Sequence, residues 1–135
     1  MIAVIGAGAM GEALMAGWIA AGTSPDEIVA VDQDTDRLAK LRERRGVRSV
    51  EVSGVSVAEV VVVAVKPHHV ATALTDVAPH LGPNAVIVSV AAGVTLARLV
   101  EVLPEGQPVI RVMPNTPALV GKGVAGLATG PTVTP

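Results

Sequence analysis

Short apolar runs alternate with stretches of helical periodicity along most of this chain. The mostly apolar runs have strand length and fall at positions 2–5, 28–31, 60–65, 85–90, 109–112 and 124–128, and the mixed segment 47–52 is predicted as an edge strand. Between several of them, apolar residues recur every three or four positions, as in Leu96, Leu99, Val100 and Leu103. The alternation predicts a doubly wound α/β fold of three layers around a mostly parallel sheet, with right-handed crossovers.

Capping and turn residues place the ends of these elements. Asp34 or Thr35 can cap the second helix, Gly46 can end it, and Thr95 can cap the last one. The run 60–65 is apolar on both faces, which predicts a central strand of a parallel sheet. We expect one domain over residues 1–129 and the start of a linker at 130–135, where proline, threonine and glycine accumulate.

The first strand runs directly into a G-x-G-x-x-G loop, and a helical pattern follows at once. The loop consists of Gly6, Ala7, Gly8, Ala9, Met10 and Gly11. In such a loop the first glycine allows a tight turn, the second lets a pyrophosphate approach the backbone, and the third lets the helix pack closely. The amides at the helix start then face the phosphates. This context predicts a dinucleotide site rather than an ordinary glycine turn.

Asp32 ends the second predicted strand, about 20 residues beyond the loop, where an acid can accept hydrogen bonds from the adenosine ribose. A carboxylate there favours NADH, because it repels the 2′-phosphate of NADPH. The alternative is a plain turn or capping residue. Arg37 lies one helical turn further on and could reach a 2′-phosphate, so NADPH stays open. The other interpretation puts Arg37 on a solvated face with Lys40, Arg42, Arg44 and Arg45.

Two strand ends carry small or turn-forming residues at the edge where open α/β sheets bind ligands. Ala64, Val65, Lys66 and Pro67 follow one strand, and Ala91, Ala92 and Gly93 follow the next. Small side chains there let a nicotinamide ring or a ribose lie against the backbone. We expect backbone contacts, with Lys66 a surface lysine rather than a catalytic one.

After the last long strand, Pro114 and Pro117 bracket Asn115 and Thr116. These two polar side chains are candidates for the floor of an active site, and a structural turn is the alternative. The three histidines are not at metal-ligand spacing, and we expect no metal. The sequence contains no G-x-S-x-G or H-E-x-x-H motif, so a hydrolase has no support.

Composition limits the possible partners and compartment. The chain has 135 residues and a formal net charge of −2, so no basic field attracts nucleic acid or anionic lipid. It has no cysteine, which excludes disulfides and thiolate chemistry and fits a cytoplasmic location. The longest apolar run is too short to span a membrane. With no Phe or Tyr and one Trp, the core must consist of aliphatic side chains.

Four segments together resemble the N-terminal domain of pyrroline-5-carboxylate reductase over residues 1 to about 129. They are Gly6 to Leu14, Ala64 to Pro67, Ser89 to Thr95 and Arg111 to Gly121. The resemblance implies an oxidoreductase of proline biosynthesis. That family transfers a hydride from NAD(P)H to the imine carbon of pyrroline-5-carboxylate and so forms proline.

The same resemblance assigns roles along the chain. Residues 6–11 would hold the pyrophosphate, and Asp32 would meet the adenosine ribose or its 2′-phosphate. Residues 64–67 and 91–93 would flank the nicotinamide, and the loop 113–117 would close the active-site floor.

Three features depart from the family pattern. The family more often has Ser, Thr or Asn where this chain has Asp32, which puts its usual NADPH preference in doubt. An Asn common near position 51 is absent. The helical second domain, which binds the substrate carboxylate and forms most of the dimer interface, is missing. We therefore expect a homo-oligomer for a longer protein that carries the second domain, and no turnover by these residues alone. A binding-only dinucleotide sensor and a β-hydroxyacid-type dehydrogenase remain alternatives.

Overall fold

A computed structural model describes residues 1–112 with their side chains, and Met113 and residues 126–129 as backbone. Seven strands form one sheet in the order β3-β2-β1-β4-β5-β6-β7. The strands are β1 (Ile2–Ile5), β2 (Ile28–Val31), β3 (Arg48–Ser49), β4 (Val60–Val63), β5 (Val86–Ser89), β6 (Val109–Met113) and β7 (Gly126–Thr129). The first six in chain order are parallel, whereas β7 pairs antiparallel with β6. The predicted α/β class with a mostly parallel sheet is confirmed.

Four α-helices cover the two faces of this sheet. They are α1 (Ala9–Ala20), α2 (Thr35–Arg45), α3 (Val70–Val77) and α4 (Leu96–Val102). Met15 of α1 and Leu41 of α2 are buried in one core cluster, and Leu74 of α3 and Leu99 of α4 are buried in the other. Alternate side chains of the strands point to opposite faces and divide between the two clusters. The predicted three layers are therefore present.

The caps follow the predicted residue types. The Asp34 side chain accepts a hydrogen bond from the Arg37 N–H at 3.1 Å, so Asp34 rather than Thr35 caps α2. Gly46 ends α2 in the left-handed conformation, with φ +74°. Thr95 caps α4 by accepting from the Arg98 N–H at 3.2 Å. Short 3₁₀ turns occupy Pro25–Glu27, Val52–Val57, Pro67–His69 and Ala78–His80.

Several predicted boundaries were wrong by a few residues. The third strand is only Arg48–Ser49, because a 3₁₀ turn begins at Val52 and folds Gly54 back against Val50. The central strand ends at Val63 rather than Val65, since the chain must turn toward Pro67. The last strand is Gly126–Thr129 rather than 124–128. The predicted loop 113–117, with Asn115 and Thr116, lies outside the described residues except for the backbone of Met113.

Candidate dinucleotide site

The glycine loop joins β1 to α1 at the carboxyl edge of the sheet. Gly6 has φ +102°, and a Cβ on it would lie 3.0 Å from the backbone of Ala64, so only glycine fits there. A Cβ on Gly11 would clash with the Gly6 carbonyl oxygen. The first and third glycines thus permit close packing of strand, loop and helix, as the motif predicts.

Gly8 differs from the other two glycines of the motif. It is the N-cap of α1, with φ −74°, and it offers no side chain to the helix amides. A Cβ on Gly8 would meet only the Arg37 guanidinium, at 3.7 Å. The space in front of the helix start is therefore open. The first-turn N–H groups of a helix have no partner within the helix and are suited to an anion.

Asp32 braces the glycine loop from the end of β2. Its Oδ2 accepts a hydrogen bond from the Ala7 N–H at 2.7 Å, and its Oδ1 accepts from the Asp34 N–H at 2.8 Å. Arg37 Nη1 lies 3.4 Å from the same Oδ2. Both carboxylate oxygens are thus engaged within the protein, and the Ala7 N–H is not free for a phosphate. Sequence spacing located Asp32 at the loop but did not indicate this contact.

These contacts keep Asp32 ionised. Burial raises the pKa of its carboxyl, but the hydrogen bonds from Ala7 and Asp34 and the charge of Arg37 outweigh that effect. The pKa of Asp32 is therefore lowered from the ordinary value of 3.8. The Asp32 side chain is 11% exposed, whereas that of Arg37 is 48% exposed. A mostly buried negative charge with a half-exposed cation beside it thus faces the site.

The basic residues of α2 are exposed, as predicted for a solvated face, but three of them also contact acidic side chains. Arg37 contacts Asp32, and its Nε lies 4.0 Å from Asp34 Oδ2. Arg44 and Arg45 both reach the Glu12 carboxylate of α1, at 3.1 and 3.7 Å. The periodicity of α2 could not show these partners, because Glu12 and Asp32 lie outside that helix.

One cleft of about 1480 Å³ runs along the carboxyl edge of the sheet. Most of the predicted site residues line it, namely Gly6, Gly8, Ala9, Met10, Asp32, Ala64, Val65, Lys66, Pro67, Ala91 and Ala92. Of the remainder, Ala7 and Gly11 belong to the loop but are buried. Gly93 lines a separate groove between α3 and α4. The structure therefore brings together the strand ends that the sequence analysis treated separately.

The cleft also includes residues that sequence reasoning missed. Thr72 and Asp76 of α3 line it, as do Glu51 and Val52 after the short edge strand. Thr72 and Asp76 are four residues apart and so share a helix face. That spacing was a readable signal, although it does not by itself indicate a ligand.

No metal centre is evident in the part of the chain that the structure describes. Residues 1–113 contain no group of three or more potential histidine or carboxylate ligands. The His68 and His69 rings instead lie against each other, with centroids 4.0 Å apart. Over the same residues, no helix is long and apolar enough to cross a bilayer.

The chain belongs to the family described as NADP oxidoreductase, coenzyme F420-dependent, whose model matches residues 1–93. This family membership is consistent with the glycine loop and the parallel sheet.

Curated relatives and a solved structure extend the match over nearly the whole chain. Pyrroline-5-carboxylate reductase of Corynebacterium melassecola is 40% identical, over 96% of this chain and 50% of its own length. The enzyme of the same name from Mycobacterium leprae is 42% identical, over 98% and 47%. A structure of the reductase from Coxiella burnetii has a TM-score of 0.90 at 33% identity, covering 98% of this chain and 50% of its own. The chain thus spans about half the length of the curated relatives it matches, and the sequence-based resemblance is confirmed.

One further structural neighbour bears on the fold alone. Arogenate dehydrogenase of Synechocystis superposes with a TM-score of 0.78 at 20% identity. Its likeness supports the assignment of the sheet and helices to the α/β class with a mostly parallel sheet.

Proposed function

We propose that this chain is the cofactor-binding domain of a pyrroline-5-carboxylate reductase. The observation that carries the proposal is the glycine loop, which leaves the start of α1 uncapped and open at Gly8 in a cleft shared with the ends of β4 and β5. The similarity to reductases of that name, 40–42% in two relatives, supports this particular activity. In this proposal residues 1–129 are the domain, and 130–135 begin the connection to a second half.

The residues of the cleft divide into three parts. The N–H groups at the start of α1 would hold the pyrophosphate, and Asp32 and its neighbours would face the adenosine ribose. The ends of β4 and β5, at 64–67 and 91–92, would flank the nicotinamide. The bound cofactor would supply a hydride to the imine carbon of the small-molecule substrate. Asn115 and Thr116 remain candidates for the active-site floor.

We also propose that NADH binds at least as well as NADPH, although the family description names NADP. Asp32 is ionised, and Asp34 and Glu51 add negative charge to the same end of the cleft. The neighbouring cation, Arg37, is already shared between Asp32 and Asp34. Repulsion of a 2′-phosphate by Asp32 is worth roughly 1–3 kcal/mol if the pair is partly desolvated.

Titration calorimetry with NADH and NADPH tests this preference. Asp32→Ser should shift the balance toward NADPH, because it removes the charge. Asp32→Asn is the matched variant, since it removes the charge but keeps an oxygen that can accept from the Ala7 N–H. Wild-type protein that binds NADPH much more tightly than NADH would show that Arg37 outweighs Asp32, and the proposed preference would be wrong.

A chimera tests the activity. These 135 residues joined to the second half of the Corynebacterium melassecola reductase should oxidise NADH or NADPH when pyrroline-5-carboxylate is added. The chain alone should bind dinucleotide without turnover, because hydride transfer needs the substrate held within about 3–3.5 Å of the nicotinamide. A folded chimera that binds cofactor but does not reduce the substrate would contradict the proposal and favour a binding-only module. In the longer protein we expect cytoplasmic location and a homo-oligomer.

A further inference from the structure

Ser89 is the one fully buried polar residue among the side chains that the structure describes. It is 0% exposed and ends β5, just before the turn 91–93. Its Oγ accepts a hydrogen bond from the Ala91 N–H at 3.4 Å. Ala91 is itself buried, and Oγ is the acceptor that the described residues offer to this N–H. A buried N–H without an acceptor is costly, so the hydroxyl ties the first residue of the turn to the strand end.

The strands on either side of Ser89 explain why a hydroxyl is distinctive there. Ser89 is in register with Val63 on β4 and with Arg111 on β6. Ile87 and Ala91 belong to the cluster beneath α3 and α4, so by alternation the Ser89 side chain faces that layer too. Val63 is 0% exposed and apolar, whereas Arg111 carries a buried Nε without a hydrogen-bond partner. The Ala91 N–H carries a partial positive charge, which favours the oxygen of the hydroxyl at this place.

The turn is held at both ends by hydroxyl groups. At its far end Thr95 Oγ1 accepts from the Arg98 N–H at 3.2 Å. Between the two anchors, Ala92 and Gly93 are exposed and Val94 is buried, and a Cβ added to Gly93 would meet no heavy atom within 4 Å. The path of Ala91 and Ala92, which line the cleft, therefore depends on the Ser89 hydroxyl together with the burial of Ala91 and Val94 on either side of the exposed residues.

We infer that Ser89 is a positioning residue for the nicotinamide half of the cofactor, because its buried hydroxyl fixes the backbone of Ala91 and Ala92 at the cleft wall. The inference rests on the proposed function, in which this wall flanks the nicotinamide. Ser89 touches neither cofactor nor substrate and acts through the turn. A purely structural serine would affect both halves of the site equally, and that difference can be measured.

The test compares NADH with ADP-ribose, which keeps the adenosine, both phosphates and the second ribose but lacks the nicotinamide. Ser89→Ala should lower the affinity for NADH about fivefold, which is equivalent to one net hydrogen bond. Its affinity for ADP-ribose should be unchanged. Ser89→Cys keeps the side-chain size but accepts hydrogen bonds poorly, so it should behave like the alanine variant. Val88→Ala is the matched control, because it truncates the adjacent residue on the opposite face of β5. It should not change the affinity for NADH relative to that for ADP-ribose.

Amide hydrogen exchange gives a second readout that needs no ligand. Ser89→Ala should speed exchange of the Ala91 amide relative to that of Ile87, whereas Val88→Ala should not. The inference would be overturned if Ser89→Ala lowered the affinities for NADH and ADP-ribose equally, or did not lower the affinity for NADH. An unchanged exchange rate of the Ala91 amide in this variant would overturn it too. Wild-type protein that binds neither ligand would instead contradict the proposed function.

Discussion

The two halves of the cleft are built in different ways. At the glycine-loop half, residues distant in sequence are cross-linked by short polar contacts, such as Ala7 to Asp32 at 2.7 Å and Gly6 N to Val31 O at 2.8 Å. At the half formed by β4 and β5, short backbone contacts also occur, such as Ala64 N to Ile5 O at 2.8 Å, but the side-chain anchor among the described residues is the longer contact of Ser89 at 3.4 Å. The first half depends on charge and on steric exclusion, and the second depends mainly on small side chains.

Their glycines show the same contrast. Gly11 is enclosed, because the Gly6 carbonyl oxygen occupies the space that its Cβ would need. Gly93 has φ +76° but no neighbour within 4 Å of the place where a Cβ would lie. One position is closed by packing, and the other is restricted only by its own backbone conformation. A side chain added to each half should therefore have different consequences.

Replacing these two glycines by alanine gives the largest expected difference. Gly11→Ala should lower the free energy of unfolding by about 3 kcal/mol or more, because strand and helix must separate to admit a methyl group. Gly93→Ala should cost only about 1–2 kcal/mol, the strain of a left-handed conformation. Urea denaturation monitored by circular dichroism measures both. Equal losses would show that the two halves are packed alike, contrary to the structure.

Gly8→Val should abolish binding of both NADH and ADP-ribose without unfolding the domain. Its φ of −74° suits any residue, and a Cβ there meets only the half-exposed Arg37 side chain. The added side chain instead occupies the space where the pyrophosphate approaches.

Ala92→Val is the counterpart in the other half, since Ala92 is exposed and lines the cleft. Ala92→Val should lower the affinity for NADH and leave the affinity for ADP-ribose unchanged. Calorimetry showing that Gly8→Val binds both NADH and ADP-ribose with unchanged affinity would contradict the assignment of the loop to the pyrophosphate.

Structure could best be predicted from the sequence at positions where a single physical constraint allows only a few residue types. The positions of Gly6 and Gly11, and the apolar run that became β4, could be predicted because sterics and burial leave few alternatives. Strand ends were less predictable, because where β4 stops depends on the turn toward Pro67 rather than on the apolarity of Val65. Local pattern cannot convey that tertiary demand.

Side-chain partners could not be predicted from the sequence for a related reason. Spacing placed Asp32 near the loop, but its contact with the Ala7 N–H spans 25 residues and depends on how β2 lies beside β1. Ser89 was visible only as part of a motif. Its complete burial and its place between Val63 and Arg111 follow from the order of the strands in the sheet. That order cannot be predicted from the local sequence around Ser89.

Lowering the pH should remove the stability that Asp32 contributes in the glycine-loop half. The lowered pKa of Asp32 means that its contribution to stability is fully present above the unfolded-state pKa of 3.8 and is lost as the pH falls through the lower folded-state value. Asp32→Asn should therefore lower the free energy of unfolding by about 1–2 kcal/mol at neutral pH, and this difference should shrink below pH 3.8.

Ser89→Ala supplies the comparison from the other half. Its effect on the unfolding free energy should not vary with pH, because a hydroxyl does not titrate in this range. Urea denaturation of the wild type and both variants from neutral pH downward is the measurement. If the difference in unfolding free energy between the wild type and Asp32→Asn stayed constant to the lowest pH, the ionised Asp32 carboxylate would not be what stabilises the loop.

The smallest expected effect concerns the ion pairs outside the cleft. Glu12 on α1 accepts from Arg44 and lies near Arg45, at 3.1 and 3.7 Å, with its side chain 21% exposed. Glu12→Gln should lower the free energy of unfolding by about 0.5–1 kcal/mol, and added salt should reduce the difference. Glu101→Gln on α4 is the matched control, because its pair with Arg98 spans 3.8 Å and both side chains are 67% exposed. That change should cost less, since an exposed i,i+3 pair is screened by water and joins no separate elements. If the two variants lose equal stability at low salt, the ionic link between α1 and α2 does not distinguish the glycine-loop half.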